Sequence, residues 1–189
     1  MTTIYLVRHG ETYDNVAKIM QGQRQGKLTP AGIAQIEGLA VSLSDINFDA
    51  IISSDLKRAY DSAEILANHF QLPIQTTTLL RERDWGDFTG RYIPDLKGLP
   101  MPSNVETMDN LLHRAEDFLD WIYTNFRDKT IVALGHGIIN KAIQAVFYHK
   151  MTRDIPKMLN AEYRILKFED RIWLKGWGTT GPTYTVHYC

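Results

Sequence analysis

The sequence predicts an α/β fold, a mostly parallel sheet with helices on both faces. Two observations carry this. Four short apolar or β-branched runs, Ile4-Tyr5-Leu6-Val7, Phe48–Ile52, Pro73–Thr78 and Thr130–Leu134, read as strands. The stretches between them carry helical periodicity and are long enough for crossover connections. A length of 189 residues suits one domain spanning 1–189, large enough to bury a sizeable core.

The elements follow in order. Residues 3–8 form the first strand. Residues 9–28 are rich in glycine and polar side chains and read as loop, with one helical turn near Asp14–Ile19. A polar loop of that length inside a compact domain is usually functional. Thr29-Pro30 then caps and opens a helix. Its apolar face is Ile33, Ile36, Ala40 and Leu43, and it fades by Asp45–Asn47. After the strand Phe48–Ile52, the cluster Ser53-Ser54-Asp55 leads into a helix burying Leu56, Ala59, Ala63 and Leu66, with Arg58 off that stripe in its first turn.

Pro73–Thr78 is followed by the charged run Leu80-Arg81-Glu82-Arg83-Asp84. Residues 91–102 hold three prolines and Gly98 and form an ordered, irregular excursion. Ser103-Asn104-Val105-Glu106 matches a capping box. The helix behind it repeats Val105, Met108, Leu112, Ala115, Leu119, Ile122 and Phe126. Thr130–Leu134 ends in Gly135-His136-Gly137 and precedes a buried helix, Ile138–Tyr148. Ala161–Phe168 and Arg171–Trp177 pair as a hairpin, and residues 178–189 form an edge strand or a loose arm.

Composition narrows the function. A net charge of −1 gives no global field for nucleic acid or an anionic membrane, so any anion site must be local. Cys189 is the single cysteine, which excludes an intramolecular disulfide and a cysteine-based zinc site. No signal peptide and no membrane-length apolar run are expected, which suits a cytoplasmic protein.

Two strands end in a histidine, Val7-Arg8-His9-Gly10 and Leu134-Gly135-His136-Gly137. In a parallel sheet both lie at one edge, the edge where ligands bind in open α/β folds. Arg58, at a helix start, and Glu82, just past a third strand, reach the same edge. Guanidinium forks bind phosphoryl oxygens, an imidazole can attack phosphorus, a second protonated histidine can stabilise charge, and a carboxylic acid can protonate a leaving alkoxide. Glycine after each histidine lets the backbone approach a ligand. Each residue taken singly has a plainer reading: His9 as a structural histidine, Arg58 covering apolar surface with its stem, Glu82 in a solvated charge run. Their convergence favours phosphoryl transfer, with Arg81 and Arg83 pointing away from the site.

Leu6-Val7-Arg8-His9-Gly10-Glu11-Thr12 with Asn15 resembles the signature of the histidine phosphatase, or phosphoglycerate-mutase-like, superfamily. Leu28-Thr29 with Gly32, Ser53-Ser54-Asp55-Leu56 with Arg58-Ala59, Leu80-Arg81-Glu82, Glu106-Thr107 with Arg114, and Gly135-His136-Gly137 extend the likeness to about residue 175. The resemblance implies a three-layer α/β/α sandwich with a mostly parallel central sheet. It implies His9 as the phosphorylated nucleophile, Arg8, Arg58 and His136 as the phosphate pocket with Gly137 beside it, and Glu82 as proton donor and then general base. Asn15 would contact phosphate or order the loop. No metal and no other cofactor is implied.

The chain departs from the family pattern at Gln25 and Lys27, where Asp and Pro are usual, and at Lys141, where Arg is common; these positions bear on the substrate. The expected activity is metal-independent hydrolysis of a small phosphorylated metabolite. A phosphoglycerate-type mutase is the second reading, weakened because residues 91–102 are short and supply only Arg91 and Lys97 as cations. A non-enzymatic phosphate-binding regulatory module is the third, disfavoured by the retention of His9 and Glu82.

Overall fold

The run Ile4-Tyr5-Leu6-Val7 is apolar throughout because its strand is covered on both faces. In the computed structural model, which describes residues 1–168, β1 spans Thr2–Arg8. Ile4 and Leu6 enter one core, and Tyr5 and Val7 enter the other. Alternation of side chains across a strand requires this split. β2 (Ala50–Ser54), β3 (Ile74–Thr77) and β4 (Thr130–Gly135) complete the parallel part of the sheet. β5 (Tyr163–Phe168) runs antiparallel to β1 at the edge, giving the order β3-β2-β4-β1-β5. The fold is therefore the expected sandwich with a mostly parallel sheet.

On one face lie α2 (Pro30–Ser42) and α3 (Lys57–Phe70), following a single turn, α1 (Tyr13–Val16). On the other lie α4 (Met108–Asn125) and α5 (Gly137–Tyr148). Thr29 caps α2 as predicted, its hydroxyl accepting from the Gly32 amide at 2.9 Å. Leu56, Ala59, Ala63 and Leu66 are buried beneath α3.

Three local expectations are corrected. Ile33 is 40% exposed, and Leu39 takes its place in the core beside Ile36, Ala40 and Leu43. β2 lies two residues later than predicted, ending at Ser54. The Ser103–Glu106 capping box does not form: Thr107 caps α4 by accepting from Asn110 N at 3.2 Å, and Glu106 is committed to Arg114. A tertiary ion pair has outcompeted a local cap. The expected excursion at 91–102 contains a short 3-10 turn, Ile93–Leu96. Its start is tied to the first loop by an Ile19–Tyr92 bridge and by Ile93 N donating to Lys18 O at 2.8 Å. The strand Arg171–Trp177 and the arm 178–189 lie outside the described residues. Among the described residues no helix is long and apolar enough to cross a membrane.

Candidate active site

Strand register brings the two histidines together. Arg8 of β1 pairs with Gly135 of β4, so the next residues, His9 and His136, leave the sheet side by side. Their ring centroids are 5.1 Å apart. β2 leads into α3, whose first turn delivers Arg58. β3 leads through the turn Thr78–Leu80 to Glu82. All four parallel strands thus contribute at their C-terminal edge, and Arg8, His9, Asn15, Arg58, Glu82 and Gly137 line one cavity of about 280 Å³.

The His9 tautomer follows from its partners. Nδ1 lies 2.7 Å from Gly10 O, and a carbonyl can only accept, so Nδ1 carries the proton. Nε2 receives a hydrogen bond from Arg58 Nε at 3.2 Å, so it bears the lone pair, and His9 lines the cavity. Desolvation first, then the Arg58 and Arg8 cations, hold the His9 pKa well below the usual imidazole value. The ring is therefore neutral at physiological pH.

Arg58 is almost completely buried. Its guanidinium donates to Gly22 O at 2.8 Å and Arg24 O at 2.5 Å as well as to His9. Burial pulls its pKa down to about 10. Arg8 donates through Nη1 to Met158 O at 2.7 Å, while its buried Nε has no partner. Desolvation also lowers the Arg8 pKa, against the pull of Glu82 and Glu162.

His136 is fully buried, and neither ring nitrogen has a hydrogen-bond partner. A buried polar group without a partner is costly unless a ligand supplies one. The protonated second histidine is expected opposite a phosphoryl group; without that anion, His136 is driven toward neutrality. Desolvation, Arg58, His9, Arg8 and Arg114 all push its pKa well below the usual value. A dianionic phosphoryl group would oppose these terms.

Glu82 is fixed by backbone amides. Oε1 accepts from Arg83 N at 2.9 Å, Ile138 N at 3.1 Å and Ile139 N at 3.2 Å, so Glu82 caps α5 from outside the helix. Oε2 lies on the Gly137 side, 3.6 Å from where a Cβ at 137 would stand; that Cβ would also be 3.7 Å from Arg8 Nε. Glycine at 137 thus keeps open the space between Glu82 and Arg8. Gly10 serves another purpose than the one expected: a Cβ there would meet Gly32 O at 2.4 Å, so it lets the chain pass α2 closely. As expected, the neighbouring arginines turn away. Arg81 binds Asp55, and Arg83 donates to Glu106 O at 2.8 Å and stacks over Trp85. Arg114 donates to Leu79 O at 3.0 Å and Arg81 O at 2.5 Å while pairing with Glu106, which fixes the backbone carrying Glu82.

Asn15 accepts from Thr12 N at 3.1 Å and from Asn160 Nδ2 at 3.2 Å, so it orders the loop at the cavity wall. Glu11 accepts from the Thr29 hydroxyl at 2.8 Å. Gln25 caps α3 from a distance, Oε1 accepting from Lys57 N at 2.9 Å and its carbonyl from Arg58 N at 3.1 Å. Sequence reasoning missed the strap before β5. Asn160 Nδ2 donates to His9 O at 3.1 Å, Ala161 N to Arg8 O at 3.0 Å, and Met158 O holds Arg8. The available signal was topological, since a strand antiparallel to β1 must begin at the site edge.

Two buried histidines and two desolvated arginines facing a carboxyl group, at the C-terminal edge of a parallel sheet, define a phosphoryl-transfer enzyme. The chain belongs to the histidine phosphatase superfamily (branch 1), whose profile matches residues 4–180. It is 29% identical over 177 residues to the uncharacterized phosphatase PhoE of Bacillus subtilis, covering 92% of each chain. It is 30% identical to the metal-independent phosphoserine phosphatase of Arabidopsis thaliana, covering 92% of this chain and 79% of that one. The mycobacterial glucosyl-3-phosphoglycerate phosphatase complexed with VO3 superposes with a TM-score of 0.80 at 27% identity, over 87% of this chain and 92% of that one. With such relatives, the enzyme class is phosphoric monoester hydrolase.

Proposed function

We propose that the chain hydrolyses a small phosphomonoester through a phosphohistidine on His9, without a metal ion. The observation that carries this is the His9 tautomer: Nδ1 is tied to Gly10 O, which leaves the lone pair on Nε2 of a ring that lines the cavity. The phosphoryl oxygens are met by Arg8 and His136, which hold buried nitrogens without a partner, and by Arg58. As Nε2 attacks in line, Arg58 Nε exchanges His9 for a phosphoryl oxygen. The bond from phosphorus to the ester oxygen breaks, and that oxygen takes a proton from Glu82. Water then attacks the phosphohistidine, Glu82 takes the water's proton, and His9 and inorganic phosphate are released. Asn15 orders the loop beside the pocket, and Gly137 leaves room for the transferring group.

Hydrolysis is preferred over the mutase reading because Arg91 and Lys97 do not line the cavity; Arg91 instead lies over Phe88, with its guanidinium carbon 5.8 Å from the ring centroid. The test is turnover of p-nitrophenyl phosphate in EDTA, with trapping of an acid-labile phosphoenzyme. His9→Ala should abolish the label. Activity that disappears with EDTA and returns with zinc, or an acid-stable label, would reject the proposal. Glu82→Gln should slow esters of poor leaving groups more than p-nitrophenyl phosphate, and equal slowing would remove Glu82 from the acid role.

A further inference from the structure

The pocket continues past the phosphoryl site. A recess of about 400 Å³ adjoins it and shares Arg8, Asn15, Ile19, Ile93 and Lys157 with it. His9, Arg58 and Glu82 line only the inner cavity, so the recess lies on the side away from the nucleophile. Its further cation is Lys18, and no carboxylate lines it. Lys141, one helical turn after Gly137 on the same face of α5, reaches the inner cavity together with Lys157. Among the described residues none of these three lysines forms an ion pair, whereas Lys57, Arg81, Arg114, Lys129 and Arg164 each do. Among the described residues Glu82 is the one carboxylate that lines either cavity, so the mouth gathers cations on a chain of net charge −1. The wall between the two ends is apolar, made by Ile19, Ile93, Trp85 and Ile138.

Resting on the hydrolase reading above, we infer that the substrate's leaving group carries a second anionic group, joined to the ester by an apolar body. The phosphoryl group sits at His9, the body lies against Ile19, Ile93 and Trp85, and the second anion meets Lys157 with Lys141 and Lys18. Lysines suit this use. Each is a mobile point charge that attracts an anion and releases the product, where a guanidinium fork would hold it. A field of one sign in a cleft also raises the encounter rate of dianionic and trianionic substrates, and salt screens that effect.

The test compares two probes of equal size and similar leaving-group acidity, 4-carboxyphenyl phosphate and 4-carbamoylphenyl phosphate, with their 3-isomers. At least one carboxylate isomer should show a kcat/KM about tenfold or more above its amide partner at low ionic strength. That ratio should shrink in 0.5 M salt, and should collapse toward one in Lys157→Ala and in Lys141→Ala. A ratio near one for both isomers, or a preference that survives both substitutions, overturns the second-anion site while leaving the hydrolase standing. Failure to turn over either ester or p-nitrophenyl phosphate overturns both.

Discussion

Arg58→Met separates function from support. Keeping a guanidinium charged when burial has pulled its pKa down to about 10 costs the fold about 3 kcal/mol. The sign is fixed by linkage: the penalty is present at every pH below about 10 and fades as pH rises above it. Methionine removes that penalty and fills much of the stem's volume. It also leaves Gly22 O, Arg24 O and His9 Nε2 without their donor, at about 1 kcal/mol each. The two effects are opposite in sign and comparable in size. Urea unfolding at pH 7.5 should therefore give nearly equal stabilities for the wild-type protein and the variant. Orthovanadate, a phosphate mimic, should then distinguish them. At a hundredfold excess over its Kd it should stabilise the wild type by about 2.7 kcal/mol and the variant hardly at all. Turnover should fall by a factor of about 100 or more. If Arg58→Met loses 3 kcal/mol or more without vanadate, Arg58 is a structural strut and the reasoning fails.

Other outcomes follow from the same geometry. His9 and His136 are held neutral in the fold, so unfolding free energy should be fully retained above pH 6.5 and fall as pH drops below it, by up to about 1.4 kcal/mol per pH unit for each histidine; His136→Gln should flatten that limb, and an unchanged slope would contradict its burial as a neutral ring. Gly137→Ala should fold with stability within about 1 kcal/mol of wild type yet lose at least about tenfold in kcat/KM, because the added methyl enters the space between Glu82 and Arg8. Gly10→Ala should instead destabilise by about 2–4 kcal/mol, since its methyl would strike Gly32 O; similar thermal shifts for the two glycine variants would refute the distinction. Arg114→Leu should cost about 2–4 kcal/mol by stranding Glu106 and two carbonyls, with the double variant Arg114→Leu, Glu106→Leu recovering part of the loss in denaturant titration.

The sheet and the polar centre were legible because both depend on short-range patterns. Apolar runs ending in Arg8-His9 and Gly135-His136 specify where strands stop, and parallel pairing then places those ends together. What the sequence concealed was long-range. Glu106 satisfies the rule for a capping box, yet Arg114 lies one face away on α4 and wins it. Gln25 caps a helix that begins 32 residues later, a pairing no local window contains. Asn160 sits in a polar connection without periodicity, and its role appears only once β5 is known to run against β1. Ile33 fits the helical stripe, yet it stays 40% exposed while Leu39, off that stripe, is buried.

The two loops that flank the pocket differ in how freely they can change. The segment 21–25 is stapled to α3 through Gly22 O, Arg24 O and both polar groups of Gln25, so inserting a residue there would drag Arg58 out of place. Residues 97–101 are bound by no such staple: Gly98 has open space around it, and Leu99 and Met101 face solvent. Lengthening a surface loop is thermodynamically mild. A designer wishing to graft a new element onto this enzyme should therefore open the chain near Gly98, where the phosphoryl centre keeps its geometry.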